Sequence, residues 1–146
     1  MSRARILLAD DHSEMRDRVK RHLQPEFDVV DAVANGRALI EAAEKTKPDV
    51  CLLDISMPVL NGIEAAIELK ESGCTAKIIF LTIHEDVDFV RAALMTGASG
   101  YVIKRRLASD LRTAINEALA GRTFVSSSIA LFAKTDLDGN GVPQPS

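Results

Sequence analysis

The chain has 146 residues, of which 47% are apolar, and its formal net charge is −3 with an isoelectric point near 5.6. This length and composition predict one domain whose core is large enough to fold without disulfide or metal staples. The negative net charge argues against broad electrostatic binding to nucleic acid or anionic membranes, because such binders neutralise many phosphates with Lys and Arg.

The cysteines and the start of the chain predict a cytoplasmic protein. Cys51 lies in an apolar run and Cys74 in a turn, and neither belongs to a metal-binding motif, so both are expected to be reduced thiols. No apolar stretch approaches the roughly 20 residues of a membrane-spanning helix, and Met1 to Arg5 lead into a short apolar run without a signal-type cleavage site. We therefore expect no membrane association.

Five short apolar runs predict five strands. They are Ile6–Ala9, Phe27–Val33, Val50–Leu53, Ile78–Leu81 and Tyr101–Ile103. Four of the runs contain no polar residue, as expected for parallel strands covered on both faces, whereas Asp28 and Asp31 interrupt the second run. The second strand is therefore expected at the edge of a parallel sheet.

The segments that follow these runs have the apolar spacing of amphipathic helices. Candidate caps lie near three predicted helix starts: Asn35, Asn61 and Ser109. Glycines lie at three predicted helix ends: Gly73, Gly97 and Gly121. Because right-handed crossovers place helices on both faces of a sheet, the five βα units predict an α/β fold, a doubly wound (βα)5 parallel sheet of flavodoxin-like strand order 2-1-3-4-5.

The predicted domain covers residues 3–121, and residues 122–146 are interpreted as a partly flexible C-terminal tail, too short for a DNA-binding domain. We therefore expect no direct nucleic-acid binding by this chain. Within the tail, the spacing from Asp136 to Gly141 is similar to the first half of a calcium loop, but the glutamate required at its twelfth position would lie beyond Ser146. A flexible polar end is the preferred interpretation.

Polar side chains follow four of the predicted strands. Asp10 and Asp11 follow the first strand, Asp54 the third, Thr82 the fourth and Lys104 the fifth. The carboxyl ends of parallel strands meet at one edge of the sheet, where functional sites of such folds lie, so these side chains are expected to converge. Any one aspartate could be only a helix cap, but their joint occurrence at the strand ends favours a functional site.

The three carboxylates predict a magnesium site, because adjacent acids repel one another unless a cation neutralises them. Mg²⁺ prefers carboxylates, a carbonyl and retained waters. The expected ligands are Asp11 and Asp54 directly, Asp10 through water, and the carbonyl oxygen of Ser56. Since the metal and Lys104 can balance the charge of a transferring phosphoryl group, Asp54 is predicted to be the attacking nucleophile.

Four motifs resemble those of two-component response-regulator receiver domains, in the order and spacing of that family. They are Leu8-Ala9-Asp10-Asp11-His12, Leu53-Asp54-Ile55-Ser56-Met57-Pro58 with Asn61-Gly62, Leu81-Thr82, and Gly97-Ala98 with Gly100-Tyr101 and Lys104. The resemblance runs from about Arg3 to Ala120. The segments 82–86 and 104–115 are similar to the NarL-like branch of transcriptional regulators in particular.

The resemblance implies that a sensor histidine kinase phosphorylates Asp54 and that Lys104 holds the phosphate, with Mg²⁺ as the cofactor. Thr82 would be the switch hydroxyl. Tyr101 is expected to swing from an exposed to a buried position beside Thr82 when the site is phosphorylated.

The signal is expected to leave through the fourth helix, the fifth strand and the fifth helix. Four arginines are expected to be exposed on this surface: Arg91, Arg105, Arg106 and Arg112. A phosphorylation-dependent homodimer is one expected partner, and the sequence identifies no other output partner.

Two features differ from the pattern of the family. Ile83 is bulkier than the small residue common after the switch threonine, and no helix-turn-helix follows, although the NarL-like branch normally has one. The chain is therefore either a stand-alone receiver or the receiver part of a longer NarL-like DNA-binding regulator.

Two other functions share part of this residue pattern. A phosphatase of the haloacid-dehalogenase type also forms an aspartyl phosphate on a doubly wound sheet, but its nucleophile would lie in an Asp-x-Asp motif after the first strand, where this chain has Asp10-Asp11-His12. A degenerate receiver that serves only as a binding scaffold would lack chemical residues that are present here. The chain is therefore expected to be a phosphoacceptor switch and not an enzyme, with at most self-catalysed phosphorylation and dephosphorylation.

Overall fold

The computed structural model describes residues 3–126, which form one parallel sheet flanked by helices on both faces. The strands are β1 (Arg5–Ala9), β2 (Asp28–Val33), β3 (Val50–Leu53), β4 (Lys77–Thr82), β5 (Gly100–Ile103) and β6 (Phe124–Val125). Their order is β2-β1-β3-β4-β5-β6, and all neighbouring pairs are parallel. The predicted α/β fold, its strand order and the edge position of β2 are confirmed.

Five helices connect the strands and close the domain. They are α1 (Ser13–Leu23), α2 (Gly36–Thr46), α3 (Gly62–Glu71), α4 (Val87–Met95) and α5 (Leu107–Leu119), and a 3-10 turn (Lys104–Arg106) joins β5 to α5. Within residues 3–126, none of the helices has the length and apolar character needed to cross a membrane.

Two of the three predicted helix caps are confirmed. The side chain of Asn35 accepts a hydrogen bond from the N–H of Ala38, and Asn61 forms a reciprocal capping box with Glu64. The prediction for Ser109 is wrong, because α5 already begins at Leu107 and Ser109 lies inside its first turn. The glycines predicted at helix ends all have the positive φ angles, 83° to 89°, that stop a helix with little strain.

The core has two layers, one on each face of the sheet. Alternate strand residues such as Leu7 and Phe80 pack against α2, α3 and α4, whereas Ile6 and Leu81 pack against α1 and α5. Because both faces are covered, the central strands are apolar at almost every position. Cys51 is buried in β3, and both cysteines are free thiols.

The ordered domain extends beyond the predicted boundary at Gly121. Phe124 pairs with Gly100 and Val125 with Tyr101, which adds β6 to the edge of the sheet, and Ser126 is fully buried. A two-residue strand has no periodicity that a sequence could show, and it satisfies backbone groups of β5 that would otherwise form an open edge. The predicted flexible tail beyond residue 126 and the calcium-loop pattern from Asp136 lie outside the described residues.

Candidate functional site

The order of the strands brings the aspartates together. Asp10 directly follows β1 and Asp54 directly follows β3, and these strands are neighbours at the centre of the sheet. Both side chains are almost inaccessible, since Asp10 is 1% exposed and Asp54 is 4% exposed. Asp11 and His12 are more exposed, and one ligand atom from each of the four residues lies within 4.8 Å of the others. The predicted convergence of three carboxylates is therefore present, with an imidazole added.

Lys104 forms ion pairs with the two buried aspartates. Its Nζ atom lies 2.7 Å from Asp10 Oδ2 and 3.0 Å from Asp54 Oδ2. Burial alone would lower the pKa of Lys104, but hydrogen bonds and charge interactions with both carboxylates outweigh it and raise that pKa. The lysine is therefore held as a cation, which explains how two neighbouring carboxylates can be buried in one site.

The loop after β1 is held by its own polar groups. Asp10 Oδ1 accepts a hydrogen bond from the main-chain N–H of His12 at 2.9 Å, and the guanidinium group of Arg16 donates to the carbonyl oxygen of Asp10 at 2.6 Å. The Nδ1 atom of His12 lies 3.1 Å from Asp11 Oδ1. These contacts fix Asp10 while leaving Asp11 and His12 open to solvent.

The loop after β3 folds back tightly against Asp54. A Cβ atom placed on Gly62 would lie only 2.1 Å from the carbonyl oxygen of Asp54, so no side chain fits there. The N–H of Gly62 donates to the carbonyl oxygen of Ile55 at 2.8 Å, which closes the loop. A cleft of about 580 Å³ opens beside it, with Asp11 and Ser56 in its lining. The loop therefore holds the Ser56 main chain close to the acidic residues and accessible from solvent.

Thr82 and Tyr101 both contact the main chain of His84. The Oγ1 atom of Thr82, at the end of β4, accepts a hydrogen bond from the N–H of His84 at 3.3 Å. The hydroxyl group of Tyr101 donates to the carbonyl oxygen of His84 at 2.7 Å. Thr82 and Tyr101 are both fully buried.

Tyr101 is buried in this structure, whereas the sequence led us to expect an exposed position before phosphorylation. Tyr101 is the second residue of β5, and its ring lies in the core near Phe80, with ring centroids 6.4 Å apart. Burial raises the pKa of Tyr101 well above its usual range, and the negative charges of Asp86, Asp54 and Glu85 add to this effect.

His84 is a site residue that the sequence did not single out. Its Nε2 atom lies 2.7 Å from Ser56 Oγ, and its ring stacks on Phe89 of α4 with centroids 4.2 Å apart and an interplanar angle of 22°. His84 lies two residues after Thr82, and this position is the one indication in the sequence that it belongs to the site. Its partners come from two other segments, so they could be assigned only from the tertiary structure.

The four arginines have partners in different elements, and Arg112 is directed away from the other three. Arg105 forms a two-point ion pair with Glu85, and Arg91 lies 3.7 Å from Asp88 within α4. Arg106 instead contacts Asp110 at 3.1 Å.

Arg112 lies on the opposite side of α5 from α4. Its Nε atom is 2.9 Å from a carboxylate oxygen of Glu26, and its guanidinium group donates to the carbonyl oxygen of His22 at the end of α1. Residue spacing alone could not separate the two sides of α5, because the direction of a long side chain depends on the partner that it reaches.

Sequence and structure comparisons agree with this geometry. Residues 6–116 match the family described as "Response regulator receiver domain". The chain is 39% identical over 126 residues to the transcriptional regulatory protein DegU of Brevibacillus brevis, covering 85% of this chain and 53% of that protein. It is 35% identical over 139 residues to the nitrate/nitrite response regulator protein NarL of Escherichia coli strain K12, covering 94% of this chain and 64% of that protein.

A solved structure shows the same architecture. The crystal structure of a two-component response regulator of the LuxR family from Aurantimonas sp. SI85-9A1 superposes with a TM-score of 0.86 and 34% sequence identity, covering 92% of this chain and 98% of that one. The chain spans about half to two thirds of the length of the two curated relatives. On the family match, the similarity to these relatives and the fold, the chain belongs to the response-regulator receiver domain family of two-component systems.

Proposed function

We propose that this receiver domain accepts one phosphoryl group on Asp54 from a sensor histidine kinase and that phosphorylation changes the surface formed by α4, β5 and α5. The observation that carries this proposal is the contact of Lys104 with Asp54 and Asp10 in a buried acidic site. A carboxylate held beside an ammonium group is placed to receive a phosphoryl group whose added charge the ammonium group can balance.

The residues present fit Mg²⁺. The carboxylates of Asp10, Asp11 and Asp54 offer oxygen atoms close to one another, which suits a small hard cation, and the carbonyl oxygen of Ser56 would complete the protein ligands. When bound, Mg²⁺ supplies positive charge beside the transferring phosphoryl oxygens. These three carboxylates outnumber the one ammonium group of Lys104, so a divalent cation would also reduce the repulsion among them.

The buried side chains also support a switch. An aspartyl phosphate would add roughly −1.5 to −2 charge and three acceptor oxygens at neutral pH, as other phosphoryl modifications do. Lys104 would then exchange part of its contact with Asp10 and Asp54 for the phosphoryl oxygens, and the hydroxyl group of Thr82 would donate to one of them. Because Thr82 Oγ1 accepts from His84, its movement would reposition the loop between β4 and α4. Tyr101 is already buried and would stay bonded to that loop.

The same proposal covers turnover and location. The site is proposed to take up one phosphoryl group and lose it slowly, and not to turn over small phosphomonoesters. The protein is proposed to act in the cytoplasm, where a kinase can reach Asp54 and where Cys51 and Cys74 would remain free thiols.

A second candidate concerns the output. DegU and NarL are regulators of which this chain spans 53% and 64%. This favours the alternative that the domain works as the receiver part of a longer NarL-like DNA-binding transcription regulator. Phosphorylation of Asp54 is the same in both cases, and the two differ only in the partner of the switched surface.

Intact-mass measurement tests the phosphorylation. Wild type treated with acetyl phosphate and Mg²⁺ should gain the mass of one phosphoryl group, and Asp54→Asn should gain none. A chelator should prevent the gain, because Asp10 and Asp11 then lack their cation. Asp17→Asn, which changes an exposed aspartate of α1, is the matched control and should be labelled like wild type. Equal labelling of Asp54→Asn and wild type would refute the assignment.

A further inference from the structure

The segment from the end of α5 to residue 126 is fixed to the sheet by a buried hydroxyl group. Ser126 is 0% exposed, and its main-chain N–H donates to the carbonyl oxygen of Tyr101 at 2.9 Å. Its Oγ atom accepts a hydrogen bond from the N–H of Ile103 at 3.0 Å. Tyr101 and Ile103 both belong to β5, so Ser126 continues the pairing of β6 with that strand by one side-chain bond.

The same hydroxyl group also contacts α5. Ser126 Oγ donates to Asp110 Oδ2 at 2.8 Å, and Asp110 is only 7% exposed. Asp110 also accepts hydrogen bonds from Arg106 Nε at 3.1 Å and from Ser109 Oγ at 3.0 Å. Burial alone would raise the pKa of Asp110, but the hydrogen bonds from Ser126, Arg106 and Ser109 outweigh it and lower that pKa. Asp110 is therefore a buried, charged carboxylate that accepts three hydrogen bonds, one of them from the last described residue.

The 3-10 turn between β5 and α5 joins this network to the phosphorylation site. Lys104, the first residue of the turn, contacts Asp54 and Asp10 through its side chain. Arg106, the last residue of the same turn, contacts Asp110. Only one residue separates the two, so a displacement of Lys104 cannot be absorbed by a long flexible segment before it reaches Arg106.

We propose that Ser126, Asp110 and Arg106 form an exit contact, through which phosphorylation of Asp54 alters the pairing of β6 and Ser126 with β5. The inference rests on the proposed phosphorylation of Asp54. New phosphoryl oxygens draw Lys104 away from its present partners and shift the 3-10 turn, which changes the hydrogen bond from Arg106 to Asp110. Asp110 and Ser126 share that hydrogen-bond network, so the pairing of β6 with β5 changes in stability.

Hydrogen exchange of backbone amides in the 146-residue chain tests this proposal, with beryllofluoride and Mg²⁺ as the phosphoryl mimic. In wild type, we expect beryllofluoride to change the exchange rates of the Ile103 and Ser126 amides by about tenfold, because these amides exchange through local opening of the structure. In Ser126→Ala, these amides should exchange fast with or without beryllofluoride, while the loop after Asp54 still responds. Asp110→Asn provides a second variant with nearly the same side-chain volume and should show the same loss of response.

The matched control lies on the same connection. Arg122, between α5 and β6, forms a two-point ion pair with Glu117 at 2.7 and 3.2 Å, but this pair is exposed and does not touch the 3-10 turn. Arg122→Gln should therefore keep the wild-type response at Ser126. This control separates a general loosening of the connection from loss of the exit contact.

The possible outcomes separate a failure of the proposed function from a failure of the exit contact alone. If the loop after Asp54 does not respond to beryllofluoride in wild type, the proposed function fails, and the exit contact fails with it. If that loop responds but Ile103 and Ser126 do not, only the exit contact is refuted. A normal response at Ile103 in Asp110→Asn would likewise show that the buried network is only structural.

Discussion

The Nε2 atom of His84 lies 2.7 Å from the hydroxyl oxygen of Ser56, so the loop after β4 is bonded to the loop after β3. The same histidine stacks on Phe89 of α4, and its main chain is bonded to Thr82 and Tyr101. One residue therefore connects the loop beside the proposed phosphorylation site to the helix that is expected to carry the signal.

A double-mutant cycle on Ser56→Ala and His84→Ala should show a coupling free energy of about 0.5–1 kcal/mol in urea unfolding, the size expected for one partly exposed hydrogen bond. The loss of stacking on Phe89 cancels in the cycle, since it occurs in both arms with His84→Ala. Ser72→Ala is the control, because Ser72 lies at the other end of α3 and bonds to Leu69. Its effect should add to that of His84→Ala, and an additive result for Ser56→Ala would contradict the contact.

Tyr101 should make the stability of the domain fall steeply at alkaline pH. The folded-state pKa of this phenol lies above the unfolded value of about 10, so its stabilising contribution is complete below that pH and is lost as the pH rises further. Tyr101→Phe should flatten this alkaline decline and cost about 1 kcal/mol near neutral pH, because the hydrogen bond to His84 is lost.

Phenolate absorbance checks the pKa directly, because Tyr101 is the single tyrosine of the chain. Native protein should titrate above unfolded protein in urea. The pKa of Lys104 is also raised, so the stabilising contribution of this lysine is likewise lost at high pH. Lys104 is still present in Tyr101→Phe, so its contribution is the same in both proteins. The difference between wild type and Tyr101→Phe therefore isolates the phenol, and identical alkaline slopes would show that its burial has no such effect.

Removing the charge of Lys104 should destabilise the domain when Mg²⁺ is absent. Lys104→Met leaves the buried carboxylates of Asp10 and Asp54 without their cation, and losing one partner of a buried ion pair costs about 3–5 kcal/mol. Millimolar Mg²⁺ should recover part of this loss, as any ligand that binds only the folded state would. Urea unfolding with and without Mg²⁺ measures both effects.

Lys45→Met makes the same substitution on an exposed position of α2 and should leave stability nearly unchanged. In Lys104→Met, a loss no larger than that of this control would mean that the carboxylates do not depend on the ammonium group. An absence of recovery by Mg²⁺ would instead count against the metal site.

Charge reversal at three arginines should distinguish the sides of α5 in a phosphorylation-dependent dimer. Beryllofluoride should raise the mass of wild type in light scattering. Arg105→Glu should prevent this, because it places a second negative charge beside Glu85 on the α4 side, and Arg91→Glu on α4 should act in the same direction. Arg112→Glu should leave dimerisation intact, because Arg112 points toward Glu26. Loss of the dimer only in Arg112→Glu would place the interface on the α1 side.

The sequence by itself determined the sheet and the acidic site. Both faces of the sheet are covered by helices, so the central strands read as continuous apolar runs, and the polar interruptions of β2 marked it as the edge strand. Asp10 and Asp54 could be predicted to meet because residues at the carboxyl ends of neighbouring parallel strands lie together whatever the connecting segments contain. The motif spacing then indicated the family.

The tertiary structure alone decided the contacts that join distant segments. His84 contacts Ser56 and Phe89, and Ser126 contacts Asp110. No periodic pattern in the sequence links the two residues of any of these pairs. The strand before Ser126 has two residues and is stable only because β5 offers it backbone partners. Side-chain direction was equally hidden, since a long arginine such as Arg112 turns toward whichever carboxylate and carbonyl the fold places within its reach.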